Sequence, residues 1–410
     1  MDAQLKSDNA LLASQAQQSA ADYIRAYVQR VRQGDIGALP IIIGLIIIAI
    51  IFQSANPNFL TPRNFVSLIL QMAGITTIAY GVVFVLLLGE IDLSIGYVSA
   101  VASVTIALLL RPPSAVPWFV AIPLGIGLGV LIGFLHGSII TFFQLPSFVV
   151  TLAGLLAWNG VVLILIGGAG TVIIQDQVVL GIANTFLPRE VGWILGIGGV
   201  LLFAYRQYTA FQHRRSQGLP TKPAAIVVGQ VIFLAAVVIA VVYVTNLDRG
   251  LPLIGVGLIL MLVFWTYVAE RTRFGRYVYA VGGNKEAARR AGINTERIRI
   301  YVFMISSGMA ALGGIILASR LRSVDTNAGG GSILLNSIAA AVIGGTSLFG
   351  GSGKVSSALL GALIIASVDN GMGLLGLSSG VKFVITGLVL LAAVVVDALA
   401  RRNQTRSGVR

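Results

Sequence analysis

Glu90 and Asp92 are the residues of this sequence that most need a reason to be where they are. They lie in Gly89-Glu90-Ile91-Asp92-Leu93-Ser94-Ile95-Gly96, inside an otherwise apolar stretch from Phe65 to Leu110. A carboxylate at the centre of a bilayer costs about 2.5–3.5 kcal/mol on insertion scales. Two chemistries suit the pair. The carboxyl groups can carry protons along a pathway. Alternatively, Gly89 ends one helix and Asp92 caps the next, satisfying the free N–H groups around Ser94 and Ile95. A plain tight turn is the third reading. Asn336, Thr346 and Asp369, polar groups in late apolar stretches, join Glu90, Asp92 and Ser94 as candidate lining of a translocation pathway. Asp369 and Lys382 are candidates to neutralise each other across neighbouring spans, because an unpaired charge in lipid is costly.

A second group of residues reads as a docking element. In the loop 270–299, Asn284 is a good N-cap, Glu286 lies in the positive first turn, and Arg289 and Arg290 lie in the last. Gly292 suits the position just past the helix end. Thr295 is expected to cap the helix that follows. A two-turn helix outside the membrane has no core of its own, so a partner surface is its natural explanation. The residues offered to that partner are Asn284, Lys285, Glu286, Ala287, Ala288, Gly292 and Ile293.

Other chemistries fail on spacing. The run Val342-Ile-Gly-Gly-Thr-Ser-Leu-Phe-Gly-Gly-Ser-Gly-Lys354 ends like a phosphate loop, but Val355 replaces the required Ser or Thr and Leu348 the first Gly. It reads instead as a flexible turn with exposed backbone. Two distant histidines and no cysteine leave no metal cluster, catalytic thiol or disulfide framework. No cofactor is implied. Gly125, Gly129, Gly133 and Gly137 recur at i, i+4 and make a bare stripe on which a second helix can pack closely. His136 sits beside the stripe. It is a proton-relay candidate, with a structural hydrogen bond as the favoured reading.

The elements that position these residues follow from composition. Of 410 residues, 56% are hydrophobic and 10% charged, with a mean hydropathy of +0.91. A soluble domain carries about 25% charged residues, so the solvent for most of this chain is lipid. Twelve apolar runs follow, at about 38–52, 64–88, 94–110, 116–140, 147–167, 191–205, 224–246, 251–269, 300–319, 333–348, 355–372 and 380–397. A span needs about 17–25 residues, which makes 38–52, 191–205 and 333–348 marginal and 333–348 a candidate broken or re-entrant segment. The fold class is therefore all-α, a polytopic membrane protein of about twelve helices, with ten as the alternative. The net charge of +13 does not point to nucleic acid, because the cations sit in short loops. With the N-terminus inside, 21 Lys and Arg fall in inner segments and 6 in outer ones. That bias places both termini in the cytoplasm. Residues 1–37 read as a cytoplasmic segment rather than a signal peptide, with an interfacial helix around Tyr23, Ile24, Tyr27, Val28 and Val31. Residues 38–397 form the membrane domain and 398–410 a basic cytoplasmic tail.

Three of these segments resemble signatures of monosaccharide ABC-importer permeases of the ribose/xylose/galactose branch. They are Gly89 to Ser94, Gly282 to Ile293, and Ile338 to Lys354, in the family's order and within roughly 60–400. Within the branch the chain is most similar to the xylose type, which carries extra spans in the middle; here the candidate insert is 191–246. Glu90 stands where the family often has Gly. The resemblance implies a permease without its own engine in a bacterial inner membrane. Two copies would form the pathway, an ATP-binding subunit would dock on residues 284–293, and a periplasmic sugar-binding protein would deliver the sugar. The competing class is a proton-coupled secondary sugar transporter, with Glu90, Asp92 and Asp369 as proton carriers. A membrane-embedded enzyme would need a nucleophile–base pair or metal cluster that the sequence does not offer.

Overall fold

The computed structural model describes Arg25 and residues 39–113, 115–219 and 221–406. The interfacial helix expected around residues 23–31 lies outside the described residues, apart from Arg25, which is helical. From residue 39 onward the chain is a succession of helices. They are α1 (Leu39–Ala55), α2 (Pro62–Leu87), α3 (Ile95–Leu109), α4 (Trp118–Phe142), α5 (Ser147–Ile166), α6 (Gln177–Asn184), α7 (Arg189–Ser216), α8 (Ala224–Asn246), α9 (Leu253–Arg271), α10 (Arg273–Gly283), α11 (Lys285–Arg290), α12 (Thr295–Leu321), α13 (Ser332–Ile343), α14 (Val355–Leu374) and α15 (Ser379–Arg406).

Each of the twelve apolar runs falls on one of these helices. Among the described residues, seven helices are long and apolar enough to cross a bilayer: α2, α4, α5, α8, α9, α12 and α14. α1, α3, α13 and the apolar start of α15 are shorter. α13 has 12 residues, which rise about 18 Å against a hydrocarbon core of about 30 Å. It cannot cross alone, in keeping with the broken segment expected there. α7 departs from expectation. Its apolar run ends at 205, but the helix, 28 residues in all, continues unbroken to Ser216. No Gly or Pro interrupts it after Gly199, and His213, Arg214 and Arg215 lie in the last turn, where cations suit the helix dipole.

The described chain divides into two units, one built on 187–251 and the other on 39–186 with 252–397. In the first, α7 and α8 pair as a hairpin. Its base is closed by Leu187 N–H donating to Leu251 O at 2.9 Å. The candidate insert at 191–246 lies wholly within this unit.

In the second unit α12 is the central element, packed on α2, α3 and α4. The glycine stripe explains the close approach. A Cβ added at Gly129 would lie 2.6 Å from the Ala311 side chain, one at Gly133 would lie 2.8 Å from the Met304 Cα, and one at Gly137 would lie 2.8 Å from the Ile300 Cα. Gly125 meets Ile106 of α3 instead. Backbones this close gain dispersion contacts that larger residues would prevent. Among the described residues there is one sheet, a two-stranded ribbon that the sequence did not signal. In it β1 (Thr171–Ile173) pairs antiparallel with β2 (Ser323–Asp325), with Val172 opposite Val324. Three-residue strands carry too little alternation to be read in advance.

Overpacking a site of this kind costs about 1–3 kcal/mol. Gly133→Ala is expected to lower the thermal midpoint of the purified protein clearly. Gly127→Ala, where no atom lies within 4 Å, should leave it unchanged. Equal midpoints would show that the stripe is not a packing surface.

Candidate functional site

The carboxylate turn begins where α2 ends. Glu90 N–H donates to Val85 O at 3.2 Å and Gly89 N–H to Leu86 O at 2.8 Å. This is the Schellman arrangement, and it needs a left-handed residue at Gly89, whose φ is +72°. The next peptide is held by α5: Ile91 N–H donates to Ser147 Oγ at 3.2 Å, and Thr151 Oγ donates back to Ile91 O at 3.3 Å. A break in a membrane helix is tolerated when freed backbone groups are satisfied inside the protein, and here both groups of Ile91 are met by α5.

Asp92 is buried, with 4% of its surface exposed. Its Oδ1 accepts from Ser94 N–H at 3.0 Å and Ser94 Oγ at 2.6 Å, and its Oδ2 from Ser306 Oγ of α12 at 3.3 Å. Ser94 Oγ in turn lies 3.2 Å from His136 Nδ1 of α4, and Trp158 Nε1 of α5 donates to His136 Nε2 at 3.0 Å. The tautomer follows from this network. Indole N–H is a donor only, so Nε2 must accept and the ring proton sits on Nδ1. Nδ1–H then donates to Ser94 Oγ, and the Ser94 hydroxyl donates to Asp92. An imidazolium would set its Nε2–H against the Trp158 N–H. Both ring nitrogens of His136 are thus engaged in hydrogen bonds inside the protein, as in the structural hydrogen-bond reading favoured from sequence. Gly154, one turn before Trp158, leaves room for it: a Cβ there would lie 2.6 Å from Nε2.

Three segments far apart in sequence meet around the same turn. Gly282, at the end of α10, abuts the Leu87 carbonyl, and a Cβ on it would lie 2.9 Å from Gly351 N. Gly351 N–H donates to Leu87 O at 2.9 Å, and a Cβ on Gly89 would sit 3.2 Å from Phe349 O. Tyr279 donates its hydroxyl to Gly353 O at 2.7 Å. Burial, with the Glu270 carboxylate adding to it, raises the Tyr279 phenol above its usual range, so it stays a donor. Glu90 closes the junction by an ion pair with Arg299 of α12, in which Arg299 Nε lies 2.7 Å from Oε1 and the terminal Nη2 also reaches it.

The short helix expected after Asn284 is present as α11. Asn284 Oδ1 accepts from Ala287 N–H at 2.9 Å, and Glu286 pairs with Arg289 at 3.1 Å and Arg290 at 3.3 Å. A second Schellman end follows: Ile293 N–H reaches Ala288 O and Gly292 N–H reaches Arg289 O, with φ +82° at Gly292. Asn284, Lys285, Glu286, Ala287 and Gly292 are exposed, Ile293 is half-buried and Ala288 is buried. Two details differ from expectation. The cap of α12 is Asn294, which accepts from Arg297 N–H at 2.9 Å, and Thr295 is the first helical residue. Residues 273–283 form a helix of their own, α10, capped by Thr272; its amphipathic pattern was hidden by Gly275, Gly282 and Gly283.

The remaining candidates are dispersed. Asp92 caps less than expected: it serves Ser94 N–H but not Ile95, because Ser94 is itself the N-cap residue of α3. Asn336, on α13, and Thr346, in the loop beyond it, are buried, with Asn336 Oδ1 and Thr346 Oγ1 lacking any hydrogen-bond partner. Asp369 is exposed on α14 and interacts electrostatically with Arg320. Among the described residues no ion pair joins it to Lys382. Sequence reasoning missed Arg299, Ser306, Ser147, Thr151 and Trp158. Arg299 was visible only as one more loop cation, and the others as ordinary residues of apolar helices.

Asp92→Ala would leave three buried donors without an acceptor, at about 1–3 kcal/mol for each such group. Asp92→Asn keeps an oxygen for Ser94, so its thermal midpoint should fall distinctly less. If the two variants fall alike, the acceptor role is wrong.

Comparison with known proteins agrees with this layout. The family described as branched-chain amino acid transport system / permease component matches residues 64–394. The xylose transport system permease protein XylH of Escherichia coli (strain K12) is 37% identical over 345 residues, covering 84% of this chain and 87% of that one. XylH of Haemophilus influenzae is 33% identical over 375 residues, covering 89% and 98%. The ribose import permease protein RbsC of Bacillus subtilis is 32% identical over 355 residues, covering 87% and 91%. No solved structure matches. With the family matched over residues 64–394 and a relative 37% identical over most of both chains, the chain belongs to this family of multi-pass transport-system permease components.

Proposed function

We propose that this chain is the permease subunit of an ATP-driven importer that carries a monosaccharide, D-xylose or a related pentose, across a bacterial inner membrane. The sugar class comes from the relatives: XylH is named for xylose transport and RbsC for ribose import. The observation that carries the mechanism is the exposed helix α11, capped at both ends and linked through α10 and α12 to the break at Gly89. A helix of 6 residues is too short to persist without neighbours. Presented on a surface with its polar side chains outward, it suits a cavity on another subunit.

In this reading an ATP-binding subunit docks on Asn284, Lys285, Glu286, Ala287, Ala288, Gly292 and Ile293. A periplasmic sugar-binding protein delivers the substrate from the other side, and a second copy of the chain completes the passage. The chain itself is a passage and hydrolyses nothing. Glu90, Asp92 and Ser94 stand at the helix break beside the pathway. Asn336 and Thr346 offer partnerless buried oxygens, and such groups suit sugar hydroxyls because they gain from any donor that reaches them. Asp369 is the acidic candidate at the end of α14. The proton-coupled alternative needs carboxyl groups free to gain and lose protons. Glu90 is taken by Arg299 and Asp92 by three donors.

Two measurements test the reading. Vesicles holding this chain, its ATPase and its binding protein should accumulate xylose from ATP in the presence of an uncoupler. Accumulation by this chain alone, driven by an imposed pH gradient, would overturn the assignment. Replacing Glu286 with Arg and Ala287 with Trp together should leave the chain inserted and folded, while sugar-stimulated ATP hydrolysis falls at least tenfold. Undiminished stimulation would remove α11 from the docking surface.

A further inference from the structure

The ion pair between Glu90 and Arg299 joins residues 209 positions apart. Glu90 lies in the turn after α2, and Arg299 in the second turn of α12. Both side chains are mostly buried, with relative exposures of 13% for Glu90 and 17% for Arg299. An exposed pair would be worth little. A pair withdrawn from water is different, because loss of either partner strands a charge. Only Ala291, Gly292, Ile293 and Asn294 separate α11 from α12, and all four are tied down. Ala291, Gly292 and Ile293 donate their N–H groups back into α11, and Asn294 caps α12. Displacement of α11 therefore carries the first turns of α12 with it.

α12 grips the carboxylate turn at two points. Arg299 holds Glu90, and Ser306 donates to Asp92 at 3.3 Å. The two are seven residues apart, an i, i+7 spacing that puts them on one helix face, about 10 Å from each other along the axis. The turn is otherwise anchored to α5 through Ser147 and Thr151. It thus has a hold on α5 and two holds on the helix that follows the docking segment. Of the latter, the ion pair is nearer the docking segment and the stronger, since both its partners are charged and two N–H groups of Arg299 reach Glu90, whereas Ser306 offers one neutral hydroxyl at 3.3 Å.

We propose that the Glu90–Arg299 pair is the positioning link that makes the break at Gly89 follow the docking segment 284–293, so that movement imposed there reaches the Asp92 network. This deepens the importer reading and rests on it. Neither residue touches sugar in this role. Both act through the geometry of the turn, and Glu90 belongs to energy coupling rather than to proton transfer.

The test uses the full complex of this chain, its ATPase and its binding protein in vesicles. Xylose uptake per ATP hydrolysed is measured, together with the amount of ATPase retained and the thermal midpoint. Glu90→Gln and Arg299→Gln should each retain the ATPase and hydrolyse ATP, while uptake per ATP falls at least fivefold. The charge exchange Glu90→Arg with Arg299→Glu should recover at least half of the lost ratio, which a purely structural effect of either residue would not produce. If a single variant fails to assemble, the double variant Glu90→Gln with Arg299→Gln leaves no stranded charge, and its uptake per ATP should still be at least fivefold low. A wild-type ratio in any assembled single or double Gln variant overturns the link, as does an assembled charge exchange no better than the single variants. Uptake by the unaltered complex that does not need its ATPase would instead sink the importer reading, and that control is run first.

Discussion

A carboxyl group buried away from water must find its hydrogen-bond donors within the protein, and Asp92, 4% exposed, is such a group. An unmet charge buried in this way costs several kcal/mol. Its donors come from the start of α3 and from α12, and the chain of partners extends through His136 of α4 to Trp158 of α5. Four helices must therefore meet around one acid. Much of the architecture follows from that demand. α4 can lie against α12 only because Gly129, Gly133 and Gly137 carry no side chain, and His136 has room only because residue 154 is glycine.

The same demand explains why the helix between Phe65 and Leu110 is broken rather than continuous. An unbroken helix would satisfy its own backbone but leave both carboxyl groups on a lipid-facing or helix-packed surface. Ending α2 at a left-handed Gly89 turns the chain, so that Glu90 and Asp92 point into protein. The freed amide and carbonyl of Ile91 are met by Ser147 and Thr151. The glycine-rich loop after α13 fills the remaining space, because Gly350 and Gly351 bring backbone rather than side chains against Gly89, Gly282 and Gly283. What looked like three separate motifs is one junction.

In the proposed reading, that junction is how a permease without an engine is driven. α11, the helix proposed to dock, presents polar side chains outward and buries only Ala288. Its two caps and the short connection to α12 make it stiff where a floppy loop would absorb motion. α12 then runs from that surface to the buried network and on through the centre of its unit, touching α2, α3 and α4. A displacement at one end has few places to dissipate. The partnerless oxygens of Asn336 and Thr346 lie elsewhere, on and just beyond the short α13, which separates the groups suited to bind sugar from those that position helices.

Local chemistry determined a good deal of this protein before any contact was known. Apolar runs located every long helix, because in lipid a span must be continuous and apolar to about its own length. Gly89 and Gly292 marked helix ends, and Asn284 a helix start, because those signals act within four residues. The stripe from Gly125 to Gly137 announced a close neighbour without naming it. Only the tertiary structure decided partners. That α12 is the neighbour, that Arg299 rather than any other loop cation meets Glu90, that Arg320 rather than Lys382 faces Asp369, and that a tryptophan fixes the His136 tautomer all depend on residues distant in sequence. Sequence periodicity states which face of a helix is buried, but it carries no information on which other face will cover it. The cap of α12 shifted by one residue, to Asn294, for a smaller reason: Asn and Thr both cap well, and the backbone conformation at the boundary chose between them.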